Sequence, residues 1–259
     1  MRLLVLHLSD IHISTEKWPD NPVINRVKDK VHVVFLPGNH DCNFATDTAA
    51  RRRICIRGQL IANADPSAIG DGSIIDICTS IQKKFFSFCQ RLSAENEPTS
   101  GPDRMYREHR LTLGSEEILV RVLNSAWDSE LKEKPGTKPG TLSMPVKIFE
   151  PKLSSSAGES LLITALHHPY GWYEPNNARA LRRLLESTSD LIFTGHEHVA
   201  ESYAKTGSVG EHNEYVEAGA FARERCASKQ RLQSDCHRLC PPHLLRQAFQ
   251  LGRRLVRSR

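Results

Sequence analysis

The sequence predicts a mixed α/β fold, and three observations favour that class. Short apolar runs typical of buried strands recur at residues 3–8, 31–36, 161–166 and 191–194. Between the last two runs, residues 177–187 place Leu181, Leu184 and Leu185 on one face of an amphipathic helix. No apolar run approaches the length of a membrane-spanning helix, and the N-terminal run enters a polar motif without a cleavage site. We therefore expect a cytoplasmic domain that does not contact a membrane.

The middle of the chain carries three further predicted elements. Residues 81–92 place Ile81, Phe85, Phe88 and Leu92 on one helical face, which is a normal core stripe. Residues 106–113 and 117–123 flank Gly114-Ser115 and predict a β-hairpin. The apolar residues of the second arm alternate on both faces, so both faces should be partly covered. Residues 132–143 are rich in Pro and Gly and predict a loop.

Each of the four predicted buried strands is followed by a cluster of Asp, Asn or His side chains. The clusters are Asp10-Ile11-His12, Gly38-Asn39-His40-Asp41, His167-His168-Pro169 and Gly195-His196-Glu197-His198. Loops at one edge of an α/β sheet converge on one pocket, where such sheets usually bind ligands. The glycines of the second and fourth clusters would let the backbone turn sharply and approach closely. The two histidines of the fourth cluster would point the same way in an extended segment. Together the clusters predict a metal site.

In their order along the chain and their residue types, these clusters resemble the motifs of the calcineurin-like metallophosphoesterase family. That family has the motifs Asp-x-His, Gly-Asp, Gly-Asn-His-Asp/Glu, a single His and Gly-His-x-His, and the resemblance covers residues 1–221. It implies an α/β/β/α sandwich of two mixed sheets. It also implies one metal ion held by Asp10, His12 and His198, and a second held by Asn39, His167 and His196.

The resemblance implies hydrolysis of a phosphomonoester or phosphodiester substrate by a metal-activated hydroxide. His40 would act as the general acid or stabilise charge in the transition state, and Asp41 would hold His40 in place. Because the expected ligands are oxygen and nitrogen atoms, manganese, iron, zinc or magnesium would suit the site. The expected number of divalent ions is one or two per chain.

One family element is absent, because no Gly-Asp pair lies between His12 and Gly38. The family places there the aspartate that bridges its two metals. We therefore expect one strand and an adjoining helix to be missing near residues 27–31, and one ion held by Asp10, His12 and His198. The alternative is a catalytically inactive remnant that acts at most as a metal-binding or interaction protein.

The basic character of the chain is concentrated in a tail, residues 222–259. The tail carries ten Lys or Arg against Glu224 and Asp235, which leaves residues 1–221 with a balance of −3 and the whole chain with +5. We expect the tail to be poorly ordered and to replace the native C-terminal segment of the family. Nucleic-acid binding through phosphate attraction is the weaker interpretation, because Phe249 is its only aromatic residue. The seven cysteines show no C-x-x-C spacing and favour reduced thiols.

Two short segments leave alternatives open, and a third is placed near the site. Tyr170 and Trp172 either line a pocket for a base or aryl group or pack the loop after His168. Residues 51–53 are three arginines that either attract phosphate or form a solvated surface, and the solvated surface is favoured. Residues 124–127 end the second hairpin arm near a possible substrate wall.

Overall fold

A computed structural model describes eleven separate parts of the chain. They are residues 32–44, 52–53, 55–56, 58–59, 71–92, 101–113, 116–129, 139–155, 161–197, 201–206 and 212–218. The predicted first strand at residues 3–8 and the basic tail lie outside the described residues, as does most of the predicted loop at 132–143. The division into a domain of residues 1–221 and a tail of residues 222–259 therefore stays a prediction.

The described strands form a six-stranded mixed sheet. The strands are β1 (Tyr106–Leu113), β2 (Glu116–Leu123), β3 (Leu161–Leu166), β4 (Leu191–Thr194), β5 (Glu201–Thr206) and β6 (His212–Glu217). Their order is β1-β2-β3-β4-β6-β5, with a parallel block of β2, β3, β4 and β6 and antiparallel strands at both edges. The α/β class is confirmed. Two predicted buried strands coincide with β3 and β4, and the predicted hairpin forms with its second arm one residue longer.

Among the described residues, 52–53, 55–56 and 58–59 are helical, and four α-helices with defined bounds accompany the sheet. They are α1 (Gly72–Thr79), α2 (Lys83–Leu92), α3 (Val146–Ser154) and α4 (Pro175–Thr188). The predicted helix at residues 81–92 begins at Lys83, because Ile81 lies in a preceding 3-10 turn. The predicted helix at residues 177–187 begins earlier, at Pro175, where the Glu174 carboxylate accepts a hydrogen bond from the Asn177 N–H. None of the helices in these described parts is long and apolar enough to span a membrane.

Alternation along the strands gives the sheet two apolar faces. On one face, Leu123, Leu166 and Ile192 pack with residues of α3 and α4, including Phe149 and Leu181. The opposite face carries a second buried cluster, formed by Ile118, Ile163, Leu191 and Phe193. Both faces of β2 are therefore buried over most of its length, as its alternating sequence predicts.

The predicted buried strand at residues 31–36 is wrong in its described part. Residues 32–38 belong to no helix or strand, and Val33 is 51% exposed. The Phe35 carbonyl accepts a hydrogen bond from the guanidinium of Arg107 on β1, and the Phe35 ring lies 5.5 Å from the ring of Phe88 on α2. Side-chain contacts, not a described strand ladder, therefore anchor this apolar run.

Candidate metal centre

The candidate site lies at the carboxyl edge of the parallel strands. His167 directly follows β3, His196 lies two residues after β4, and Ser125 lies two residues after β2. The Gly195 N–H donates to the His167 carbonyl over 2.9 Å, which ties the loops after β3 and β4 together. Because neighbouring parallel strands end at the same edge, their following loops deliver side chains to one place.

Three predicted ligands meet at this edge. His167 Nε2 lies 3.0 Å from Asn39 Oδ1 and 3.1 Å from His196 Nδ1, although Asn39 is 128 positions earlier in the chain than His167. Atoms bound to one transition-metal ion at about 2.0–2.1 Å stand roughly 3.0–3.4 Å apart. Both separations from His167 Nε2 match that spacing, and the N and O chemistry fits a divalent ion. Because the Asn39 oxygen can only accept, the hydrogen of the His167 ring lies on Nε2 without an ion and would have to move to Nδ1 for an ion to bind.

A third imidazole, that of His168, completes what we call the histidine cluster: His167, His168 and His196. One ligating nitrogen from each ring lies within 4.8 Å of the others. His168 is fully buried, and its Nδ1 lies 3.1 Å from the Ser125 carbonyl oxygen. Since a carbonyl can only accept, this contact places the hydrogen on Nδ1 and leaves a lone pair on Nε2. Nε2 has no hydrogen-bond partner among the described residues.

Ser125 organises the loop that carries two of these rings. Its Oγ accepts from the N–H of His167 at 2.9 Å and from the N–H of His168 at 3.0 Å. Burial, with the nearby His167 and His196, holds the pKa of His168 well below its ordinary value. His168 is therefore a neutral imidazole, which is the form that ligates metals.

The backbone of His196 is left-handed, with φ at 73°. The expectation of an extended Gly-His-Glu-His segment is therefore wrong at its second residue, and the i, i+2 alternation ends there. A non-glycine residue in this conformation costs about 1–3 kcal/mol, and such strain clusters at ligand clamps and active sites. The ring of Trp172 packs edge-on against the His196 ring, with the two ring centroids 4.2 Å apart. The Nε1–H of Trp172 donates a hydrogen bond to the Glu197 carboxylate.

The Gly38 segment forms a tight turn beside His167. Asn39–Asp41 is a 3-10 turn, and Asp41 Oδ2 accepts a hydrogen bond from the Gly38 N–H over 2.9 Å. Gly38 has φ −103°, so a left-handed turn does not explain the glycine. Close approach does, because a Cβ at this position would lie 3.0 Å from His167 Cε1. His40 and Asp41 are exposed at the rim.

Other predicted residues lie outside this group. Asp10, His12 and His198 belong to undescribed parts of the chain, so their assignment as ligands stays a prediction. Of the open alternatives, Tyr170 is buried in the main core, whereas Trp172 flanks the histidine cluster. Arg53 is also buried and its guanidinium donates to the Ser129 carbonyl, so the expected solvated surface is wrong for this arginine.

The sequence motifs assigned no individual role to His168 or to Ser125. His168 carried one signal, since it is adjacent to His167 at the end of a predicted strand. Ser125 carried only its place after the second hairpin arm.

Neither the protein-family models nor the curated proteins contain a match to this chain. Fold and site together define the class: a mixed α/β protein with a histidine-rich candidate metal centre at the carboxyl edge of its sheet.

Proposed function

We propose that the chain is a metal-dependent phosphoester hydrolase of the calcineurin-like metallophosphoesterase type. The observation that carries the proposal is that Asn39 Oδ1 and His196 Nδ1 both lie within hydrogen-bond distance of His167 Nε2. The resemblance assigns these three residues, from three separated motifs, to one metal ion. Motifs that are distant in the sequence come together either in a core or in a shared site. Asn39 is only partly buried, so a shared site is the better explanation for its contact with His167.

The residues at the site have separable roles under this proposal. Asn39, His167 and His196 would hold a cation at the second of the two positions that the resemblance implies, and a bound divalent cation would supply polarisation of a phosphoryl group and a lowered pKa of water. His40, exposed beside these ligands, donates a proton to the leaving group. Asp41 holds the turn through the Gly38 N–H, which fixes where His40 projects.

The proposal includes the two-sheet sandwich of the family. The apolar face formed by Ile118, Ile163, Leu191 and Phe193 supports it, because a buried apolar sheet face needs a second layer. The helices α3 and α4 cover the other face. A second sheet, to which residues 3–8 would contribute, would pack on the Ile118 face.

A second candidate function is metal binding without hydrolysis. It is favoured by the composition of the histidine cluster, which includes no carboxylate among the described residues, and by the missing Gly-Asp motif. Without a negatively charged ligand, the site would hold a cation more weakly than a carboxylate-bridged pair.

Hydrolysis of an aryl phosphodiester by the purified chain with Mn²⁺ tests the proposal. We expect activity that falls by at least about 100-fold in His196→Ala, since even residues that only support metal ligands cost 10–100-fold when changed. His32→Ala is the matched control, because His32 is an exposed histidine packed against His109 on β1. No wild-type activity above the His196→Ala background, from folded samples, would contradict the proposal and favour the second candidate.

A further inference from the structure

His168 presents a buried lone pair that the proposed ligand set does not use. The ring is fully buried, its Nδ1 is engaged by Ser125, and Nε2 is without a hydrogen-bond partner among the described residues. An unsatisfied buried polar atom costs about 1–3 kcal/mol. Nine buried side-chain atoms of the described residues have no hydrogen-bond partner, so it is the surrounding histidine cluster that distinguishes His168 Nε2 from the others.

The surroundings of that lone pair point to a cation. The His168 ring centroid lies 4.7 Å from that of His167 and 4.6 Å from that of His196. A ligating histidine almost always donates its other ring N–H to a carbonyl or carboxylate, which sets its tautomer and orientation. The contact between Nδ1 and the Ser125 carbonyl provides that second interaction.

We propose that His168 Nε2 is a fourth donor to the cation held by Asn39, His167 and His196, in place of the aspartate that the chain lacks. This inference rests on the metal site of the proposed function and names a ligand that the resemblance does not supply. The resulting set is three imidazole nitrogens and one amide oxygen. Imidazole suits Zn²⁺ and other transition metals, whereas Mg²⁺ prefers oxygen ligands, so the site selects transition metals over Mg²⁺.

A purely structural role for His168 makes a different prediction. If the ring only fills space and binds Ser125, the cation would contact two imidazoles and its affinity would not depend on Nε2. The two interpretations therefore differ in metal affinity and in the number of imidazoles bound.

Calorimetric titration of Zn²⁺ and Mg²⁺ into the full chain provides the first test. We expect Zn²⁺ to bind and His168→Gln to weaken it by 10-fold or more, while His109→Gln leaves the affinity unchanged. His109 is the matched control, since it is a buried histidine on β1, two strands away from β3. Unchanged Zn²⁺ affinity in folded His168→Gln would overturn the inference.

A second measurement does not depend on the folding of His168→Gln. It is X-ray absorption spectroscopy of Zn²⁺ bound to the double variant His12→Ala/His198→Ala. This variant lacks the two histidines predicted for the other metal position. We expect three imidazoles around the ion, and a count of two would overturn the inference.

The two proposals can fail separately. Tight, His168-dependent Zn²⁺ binding without phosphodiesterase activity would retain the inference and contradict the hydrolase. Phosphodiesterase activity that depends on His196, with two imidazoles bound to the metal, would retain the hydrolase and contradict the inference about His168.

Discussion

Two buried polar groups at the carboxyl end of the sheet are built in opposite ways. Gln82 and Asn124 form what we call the closed pair, in which each side-chain amide donates to the carbonyl oxygen of the other at 3.1 and 2.7 Å. Asn124 Nδ2 also donates to the Arg104 carbonyl. In the histidine cluster, by contrast, a buried Nε2 has no described partner and His196 has a strained backbone.

The two regions differ in where their buried polar atoms find partners. The closed pair satisfies its polar atoms within the protein, so its value is stability and a fixed position for the start of α2 against β2. In the histidine cluster, the unsatisfied Nε2 of His168 and the left-handed backbone of His196 both lower the stability of the folded protein. Such a loss is expected where a ligand completes the site.

Among the changes that compare these two regions, Gly38→Ala should have the largest effect. A Cβ 3.0 Å from His167 Cε1 and 3.2 Å from His167 Nδ1 is a tight contact, so the ring must shift by a few tenths of an ångström, which disturbs the position of its Nε2 beside Asn39 and His196. We expect Zn²⁺ or Mn²⁺ affinity to fall about 10–100-fold, the range for residues that position metal ligands. Calorimetry measures the affinity.

Gly171→Ala is the matched control for this change. Gly171 is an exposed glycine in the turn that carries Trp172, and a Cβ there meets nothing within 4 Å. Equal metal affinity in the two alanine variants would show that the close approach of Gly38 to His167 has no role in the site.

The sequence predicted the fold correctly for segments that have both an apolar run and a neighbouring strand to pair with. Continuous apolar runs predicted β3 and β4 with the observed bounds, because strands in a parallel block are covered on both faces. The same signal at residues 31–36 did not give a described strand. An apolar run indicates burial, but a strand also needs a neighbour with free backbone groups, and that neighbour is a tertiary property.

The candidate site was predictable only in part for a similar reason. The sequence motifs singled out Asn39, His167 and His196, and the structure places Asn39 Oδ1 and His196 Nδ1 beside His167 Nε2. The arrangement of His168 depends on Ser125, which lies 43 positions earlier, so no local pattern contains it. The left-handed backbone of His196 is likewise a result of packing, since local propensity disfavours it.

An intermediate effect is expected from opening the closed pair. Gln82→Leu leaves Asn124 Oδ1 buried without its donor, so we expect a loss of about 1–3 kcal/mol in the free energy of unfolding. The double variant Gln82→Leu/Asn124→Leu removes both amides and should lose less than the sum of the single variants. Urea unfolding of the four proteins measures this coupling, and additive losses would show that the two amides do not act as a unit.

The smallest effect tests the strain at His196, by comparing His196→Gly with His196→Ala. Both remove the ring, but only glycine adopts φ 73° without a steric penalty, so we expect the glycine variant to be more stable by about 1 kcal/mol. The same pair of changes at Arg183, an exposed position inside α4, should have the opposite sign, because alanine exceeds glycine in a helix by about 1 kcal/mol. Urea unfolding resolves both differences. Alanine more stable than glycine at both positions would mean that His196 is not strained, and the histidine cluster would then differ from the closed pair only in its unsatisfied nitrogen.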